Sequence, residues 1–206
     1  GKVVGFFPSV KNNRQIAWES QLEKKACLLF EFSPAVRAYR EQPITIFYPD
    51  QGEMRRYTPD FELLLTGKQS VYVEIKPAHK LKDARLKLKL QNVASFWQQQ
   101  DDHFIVITDE ELNHPVRQYN LSFLRPHLKT QCSDELISLA KTWLMKSNNT
   151  MLCEFANYVG SLNTAYSLIA QGHISIDLET PICQHTQLTI PKEINHETSL
   201  FAYRTS

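Results

Sequence analysis

Glu74-Ile75-Lys76 closes a run over residues 70–76 in which apolar and polar side chains alternate. A strand of that pattern points Val71, Val73 and Ile75 one way and Tyr72, Glu74 and Lys76 the other. An acid and a lysine then share one face, with Ile75 turned to the core. Pro59-Asp60 stands near the start of the preceding strand candidate, within hairpin reach of the same spot. Two carboxylates converging on a point can hold a hard divalent cation such as Mg²⁺, which takes oxygen ligands. A lysine beside them can hold or deprotonate an attacking water and offset charge on a phosphate. The metal would act as Lewis acid and generate the nucleophile. Together these are the parts of a metal-assisted phosphodiester hydrolase.

An acid-x-Lys triplet arises by chance roughly once per 150 positions, and alternating Glu and Lys decorate many solvated strands. The weight therefore falls on context. Upstream, Glu19 and Glu23 lie one helical turn apart and either could face the site; spacing alone leaves the choice open. Downstream, Lys80, Lys82, Arg85, Lys87 and Lys89 cluster against the single acid Asp83. Such a cluster suits contacts to a DNA backbone, which position a duplex without reading its sequence. Arg55 and Arg56, beside the first hairpin turn, are expected to reach the same duplex. Other chemistries find little support. Cys132, Cys183, His185 and the remaining histidines show no recurring ligand-pair spacing for zinc. There is no GxSxG elbow, and no phosphate-cradling Gly-rich loop among only six glycines.

The elements that must position these residues follow from periodicity. Residues 16–32 read as a helix, with Leu22, Ala26, Leu29 and Phe30 at helical spacing and Ser33-Pro34 closing it. A three-strand meander is expected next, over 44–48, 57–65 and 70–76, with turns at 49–52 and 66–68. Residues 83–99 form the clearest amphipathic helix, with Leu86, Leu90, Val93 and Trp97 in one stripe. Residues 103–108 (HFIVIT) read as a buried strand reached by a crossover, and 115–124 as a short helix. After about residue 126 the texture changes. Helices are expected over 134–145, 151–158 and 162–170, with short strands over 173–177 and 187–190, a winged-helix pattern. The expected organisation is an α/β catalytic domain over 1–130, a mixed sheet flanked by helices, and a small winged-helix-like domain over 131–206.

The 206 residues are 42% hydrophobic and 22% charged, which excludes a disordered chain. No apolar stretch approaches the roughly 20 residues that cross a bilayer, so no membrane partner is expected. The opening GKVVGFFPSV is too short an apolar stretch for a signal peptide, and a start at Gly suggests a missing initiator segment or a tag. Four scattered cysteines without a CxxC pair point to reduced thiols in a cytoplasm. The net charge of +1 hides an asymmetry: residues 1–128 carry 18 Lys+Arg against 15 Asp+Glu, and residues 129–206 carry 5 against 7. DNA contact must then come from local basic clusters, and the acidic second part suits protein docking.

The runs WESQLEKKACLLFEFSPAVRAYREQP, RYTPDFELL, VYVEIKPAHKLKD, FWQQ and FIVITDEELN resemble the TnsA endonuclease subunit of Tn7-like heteromeric transposases. The resemblance covers about residues 15–128, and the combined spacing of its SxLE, EQP, PDF and ExKP elements is specific. It implies a restriction-endonuclease-like catalytic domain followed by a winged-helix domain, with a Mg²⁺-dependent site that Mn²⁺ would also serve. Carried over by position, it implies Glu23, Asp60, Glu74 and Lys76 as catalytic residues. Glu23, Asp60, Glu74 and the Ile75 carbonyl would be the metal ligands, and so the resemblance selects Glu23 over Glu19. It further implies hydrolysis at the 5′ ends of double-stranded transposon DNA, a TnsB-like transposase acting on the 3′ ends, and a TnsC-like ATPase regulator docked through the C-terminal region, in a bacterial cytoplasm. Two alternatives share the fold: a stand-alone restriction or repair nuclease, and a catalytically silent scaffold bridging DNA and regulator.

Overall fold

The structure, a computed structural model, describes residues 4–67, 69–147 and 150–191. Its contacts divide the chain into two compact units, Gly1–Asn113 and His114–Ser206. Composition placed this boundary at 130. The division falls earlier because the helix Pro115–Leu124 is built into the second unit: buried Asn120 donates to the carbonyls of Leu178 (2.9 Å) and Thr180 (2.7 Å). The change of texture near Pro126 marks a short 3₁₀ turn, Arg125–Lys129, inside that unit.

In the first unit the order is β1 (Gly5–Ser9), β2 (Arg14–Trp18), α1 (Gln21–Phe32), β3 (Val36–Glu41), β4 (Ile46–Asp50), β5 (Glu53–Tyr57), β6 (Phe61–Leu65), β7 (Ser70–Lys76), α2 (Ala84–Gln99), β8 (His103–Thr108) and α3 (Asp109–Leu112). The main sheet runs β3-β6-β7-β8, antiparallel except for the β7–β8 pair, which is parallel through α2. β1–β2 and β4–β5 are separate hairpins. This is a mixed α/β arrangement with a mixed sheet, as the periodicity predicts.

β7 is an inner strand covered on both faces, which its alternation conceals. Val71 through Ile75 are all buried. On one side α1 brings Phe30 edge-on to Phe61 and Tyr39, with ring centroids 5.5 and 5.6 Å apart. On the other, Tyr72 stacks on Trp97 at 3.6 Å within a cluster of Ile46, Tyr48, Tyr57 and Val93. The face expected to be polar is thus roofed by α2 and the β4–β5 hairpin. Apolar and aromatic burial on that scale is the main force holding the layers together.

Several expected elements are redrawn. The helix read from residue 16 begins at Gln21, because Ser20 caps it: Ser20 Oγ accepts from the Glu23 N–H (3.1 Å) and donates to Glu23 Oε1 (2.9 Å). Ile16 and Trp18 belong to β2 instead. The strand read over 57–65 is two, since Thr58-Pro59-Asp60 separates β5 from β6 and Pro59 has no N–H for a ladder. The turn read over 66–68 lies partly outside the described residues, at Lys68.

The hairpin β1–β2 is fastened by a buried carboxylate. Glu31 accepts from Ser9 Oγ (2.8 Å), the N–H groups of Val10 (2.6 Å) and Lys11 (2.9 Å), and the Tyr39 hydroxyl (2.7 Å). The Lys11 ammonium donates to the carbonyls of Phe30 in the last turn of α1 (2.9 Å), of its cap Ser33 (2.5 Å) and of Val36 at the start of β3 (2.6 Å). Burial pulls Lys11 down to about 8, with Glu31 opposing.

The second unit holds α4 (Pro115–Leu124), α5 (Asp134–Lys146), α6 (Leu152–Tyr158) and α7 (Leu162–Ala170), close to the helices read from sequence. Among the described residues the expected terminal strands are only isolated antiparallel bridges, Ser175 with Thr189 and Met151 with Gln187. Helices stand near the expected positions, but in place of the hairpin a winged helix needs, the described residues show two isolated pairs.

Gly5 supplies a test of the hairpin. A Cβ there would lie 2.3 Å from Trp18 Cζ2, an overlap that only a shift of the buried indole relieves. Overpacking of this kind costs about 1–3 kcal/mol. Gly5→Ala is expected to lower the thermal midpoint and perturb Trp fluorescence; an unchanged melt would contradict this packing.

Candidate active site

The last residues of β7 sit where the ladder with β6 runs out. Phe61 pairs with Val73, so Asp60 meets the end of β7 with its side chain in place of main-chain bonds. Asp60 Oδ2 accepts from the Ile75 N–H at 2.7 Å, and the Asp60 carbonyl accepts from the Gln42 N–H at 2.9 Å. In extended backbone a residue's N–H and C=O point the same way, which turns the Ile75 carbonyl towards the Asp60 side as well. Pro77 stops the strand, and Asp109 Oδ1 accepts from the next N–H, Ala78, at 2.6 Å. The chain then passes through the 3₁₀ turn Ala78–Lys82 to Asp83, which caps α2 through the N–H groups of Arg85 (2.8 Å) and Leu86 (3.4 Å).

Lys76 joins the two carboxylates. Its Nζ is 2.6 Å from Glu74 Oε1 and 3.8 Å from Asp60 Oδ2. The shared face read from the alternation is therefore an ion pair in the fold. Glu74 is buried, and its second oxygen accepts from the Tyr57 hydroxyl at 2.5 Å. Tyr57 enters from the β4–β5 hairpin and was read only as the first residue of a strand. Nothing in its spacing marks it; the signal is three-dimensional.

Electrostatics follow from crowding like charges in a partly dry place. Burial, and then the charge of Glu74, push the Asp60 carboxyl up to about 7, against the opposing pull of Lys76 and the Ile75 N–H. Burial lowers the Lys76 ammonium, but Asp60, Glu74 and Glu23 outweigh it and hold it above its ordinary value. Lys76 therefore stays charged and is suited to holding a water or a phosphate oxygen rather than to taking a proton. Burial first and Glu74 second keep the Tyr57 phenol far above its usual range, so it remains a donor.

Glu23 lies close enough for its charge to raise both Asp60 and Lys76. Its oxygens are occupied at the start of α1, by Ser20 Oγ and by the Glu19 N–H (2.7 Å). Glu19 accepts from Gln42 Nε2 at 3.1 Å. Among the described residues no three His, Cys, Asp or Glu side chains gather at metal-ligand spacing. What gathers is a pair of carboxylates and one ammonium, flanked by a main-chain carbonyl. The two carboxylates and the carbonyl are oxygen donors of the kind a hard cation takes, with Lys76 beside them.

Of the basic residues, Lys80, Lys82, Arg85 and Lys87 are exposed. Lys89 is half-buried, with its ammonium 5.1 Å above the Tyr57 ring. Arg85 and Lys89 share a stripe of α2, while Lys87 projects from another side. Arg55 and Arg56, neighbours on β5, face opposite ways, and Arg55 is paired with Glu53 (2.9 Å) and Asp50 (4.0 Å).

The crowded pair makes a stability prediction. With its carboxyl raised from 3.8 to about 7, folded Asp60 keeps its proton where the unfolded chain has lost it. Stability is then lost as pH rises through that window and stays lost above it. Asp60→Asn is expected to be more stable than the parent to heat at pH 8 without metal, and the gain should vanish below the ordinary carboxylate value; equal melts at every pH would contradict it.

No curated protein matches the chain. Residues 33–109 match the family described as TnsA-like endonuclease N terminal, a stretch that holds Asp60, Glu74, Ile75, Lys76 and the basic run. Over these residues, which include β7 and the end of the ladder where its carboxylates meet, the chain is similar to TnsA-like endonucleases.

Proposed function

We propose that the chain is a Mg²⁺-dependent DNA endonuclease subunit of a Tn7-like transposase, hydrolysing the 5′ ends of transposon DNA during cut-and-paste transposition. The observation that carries this is Lys76 Nζ held between Glu74 Oε1 (2.6 Å) and Asp60 Oδ2 (3.8 Å) at the end of an inner strand. Asp60, Glu74 and the Ile75 carbonyl would hold Mg²⁺, or Mn²⁺ in its place, with Glu23 completing the site. Bound there, the cation would supply Lewis acidity and a nucleophilic water. Lys76, kept charged by its acidic neighbours, orients that water and offsets charge on the phosphate. The exposed Lys80, Lys82, Arg85 and Lys87 hold the DNA backbone, and attack of water on phosphorus with loss of the O3′ oxygen, which takes up a proton, would leave a 5′-phosphate and a 3′-hydroxyl.

The remaining assignments follow the resemblance. Duplex transposon ends are the substrate, a TnsB-like transposase cuts the 3′ ends, and a TnsC-like ATPase docks on the second unit. The acidic balance of residues 129–206 and the exposed Leu139 and Met145 on α5 support docking of a protein there. Unpaired Cys27, Cys132, Cys153 and Cys183 support a reducing bacterial cytoplasm. No helix of the described residues is long and apolar enough to cross a membrane.

A strand-specific cleavage assay with Mg²⁺, with and without the partner transposase, tests the reading. Asp60→Ala is expected to abolish 5′-strand cleavage while the apolar face of the sheet, and hence the fold, survives. Cleavage at the parent rate would remove Asp60 from the site. Lys76→Ala should slow the cut by at least about 100-fold, the usual scale for a group that handles protons or positions water. Its effect on Mn²⁺ affinity should be far smaller, and calorimetry showing the reverse order would sink the assigned role.

A further inference from the structure

Both oxygens of Glu74 are engaged, and their partners differ in kind. Oε1 meets the Lys76 ammonium, carried on a flexible stem whose side chain is 31% exposed. Oε2 meets the hydroxyl of Tyr57, whose buried ring is set edge-on to Tyr48 and Phe104, with centroids 6.4 and 6.1 Å away. The Lys89 ammonium lies against the same ring. A lysine can swing away from a carboxylate; a ring gripped on several sides cannot. A partner that fixes one oxygen of a ligating carboxylate sets the direction of the other.

We propose that Tyr57 is a positioning residue: its hydroxyl locks Glu74 so that Oε1, the oxygen on the side of Lys76 and Asp60, is the one offered to the divalent cation. This rests on the endonuclease reading above. It also gives the β4–β5 hairpin, which among the described residues pairs with no strand of the main sheet, a task at the site. Tyr57 touches neither the reacting phosphate nor the cation; it acts through Glu74.

The test is Mn²⁺ binding to the full chain by calorimetry, without DNA. Tyr57→Phe keeps the ring and removes only the donor, and affinity should fall by about ten-fold, the lower end for a lost partner of a ligand. Tyr48→Phe, on the same hairpin, should leave affinity unchanged. In a Glu74→Gln background the Tyr57→Phe effect should disappear, because the carboxylate it orients is gone. Equal affinities for the parent and Tyr57→Phe, an equal loss in Tyr48→Phe, or an undiminished effect in the Glu74→Gln background would each overturn the proposal. If Tyr57→Phe loses its native near-ultraviolet spectrum, added Mn²⁺ should restore it by neutralising the freed carboxylate; no recovery would mean a packing role and end the proposal. A parent chain that binds no Mn²⁺ at all removes the endonuclease reading itself, and this inference with it, whereas binding that Tyr57→Phe leaves untouched removes only the inference.

Discussion

Two carboxylates forced together at the end of a buried strand, and one ammonium holding them, are the constraint around which the first unit is arranged. Asp60 and Glu74 arrive from adjacent strands whose register leaves no alternative: Phe61 opposite Val73 puts Asp60 beside the end of β7. Their mutual repulsion is strengthened by the same burial that strengthens their attraction to Lys76. A site of this kind is poised. Lys76 holds the two carboxylates at 2.6 and 3.8 Å, while burial first and Glu74 second incline Asp60 to keep its proton.

Holding such a site requires rigid support, because a catalytic group misplaced by an ångström loses much of its effect. The support comes from both sides of the sheet. α1 packs on one face and is pinned at both ends, by the Ser20–Glu23 cap at its start and by Lys11 on the Phe30 and Ser33 carbonyls at its close. α2 and the β4–β5 hairpin cover the other face, joined by the aromatic cluster around Tyr72 and Trp97 and by Asn92 donating to Asp50 at 2.9 Å. The basic run begins immediately beyond the strand that ends in Lys76.

Legibility in the sequence followed the locality of the signal. β7, β8 and α4 stand at the bounds read from composition, because alternation, a β-branched run and Pro at a helix start are local facts. β1, β2 and β3 were missed. Ile16 and Trp18 fall at spacings that also suit the stripe of α1, and the Ser20-x-x-Glu23 cap that separates them from the helix was there to be read. β3, with Arg37, Arg40 and Glu41 among its six residues, lies at the sheet edge, where charge is tolerated and the hydrophobic pattern weak. For the site, Glu74 and Lys76 were visible as an alternating pair, and Asp60 as a Pro-Asp at hairpin distance. Tyr57 carries no signal in the sequence, since its hydroxyl reaches Glu74 from a different hairpin, and the ion pairs of Arg55, with Glu53 on its own strand and Asp50 across the turn, emerge only in the fold.

We propose that the paired acids at the end of β7 form a cation site. It is tested most directly by diffraction from crystals grown with Mn²⁺, recorded at a wavelength where manganese scatters anomalously. A peak is expected within about 2.5 Å of oxygens from Asp60, Glu74 and the Ile75 carbonyl, the span of oxygen-ligated divalent ions. Manganese bound elsewhere, with Lys76 still bridging the two carboxylates, would contradict it.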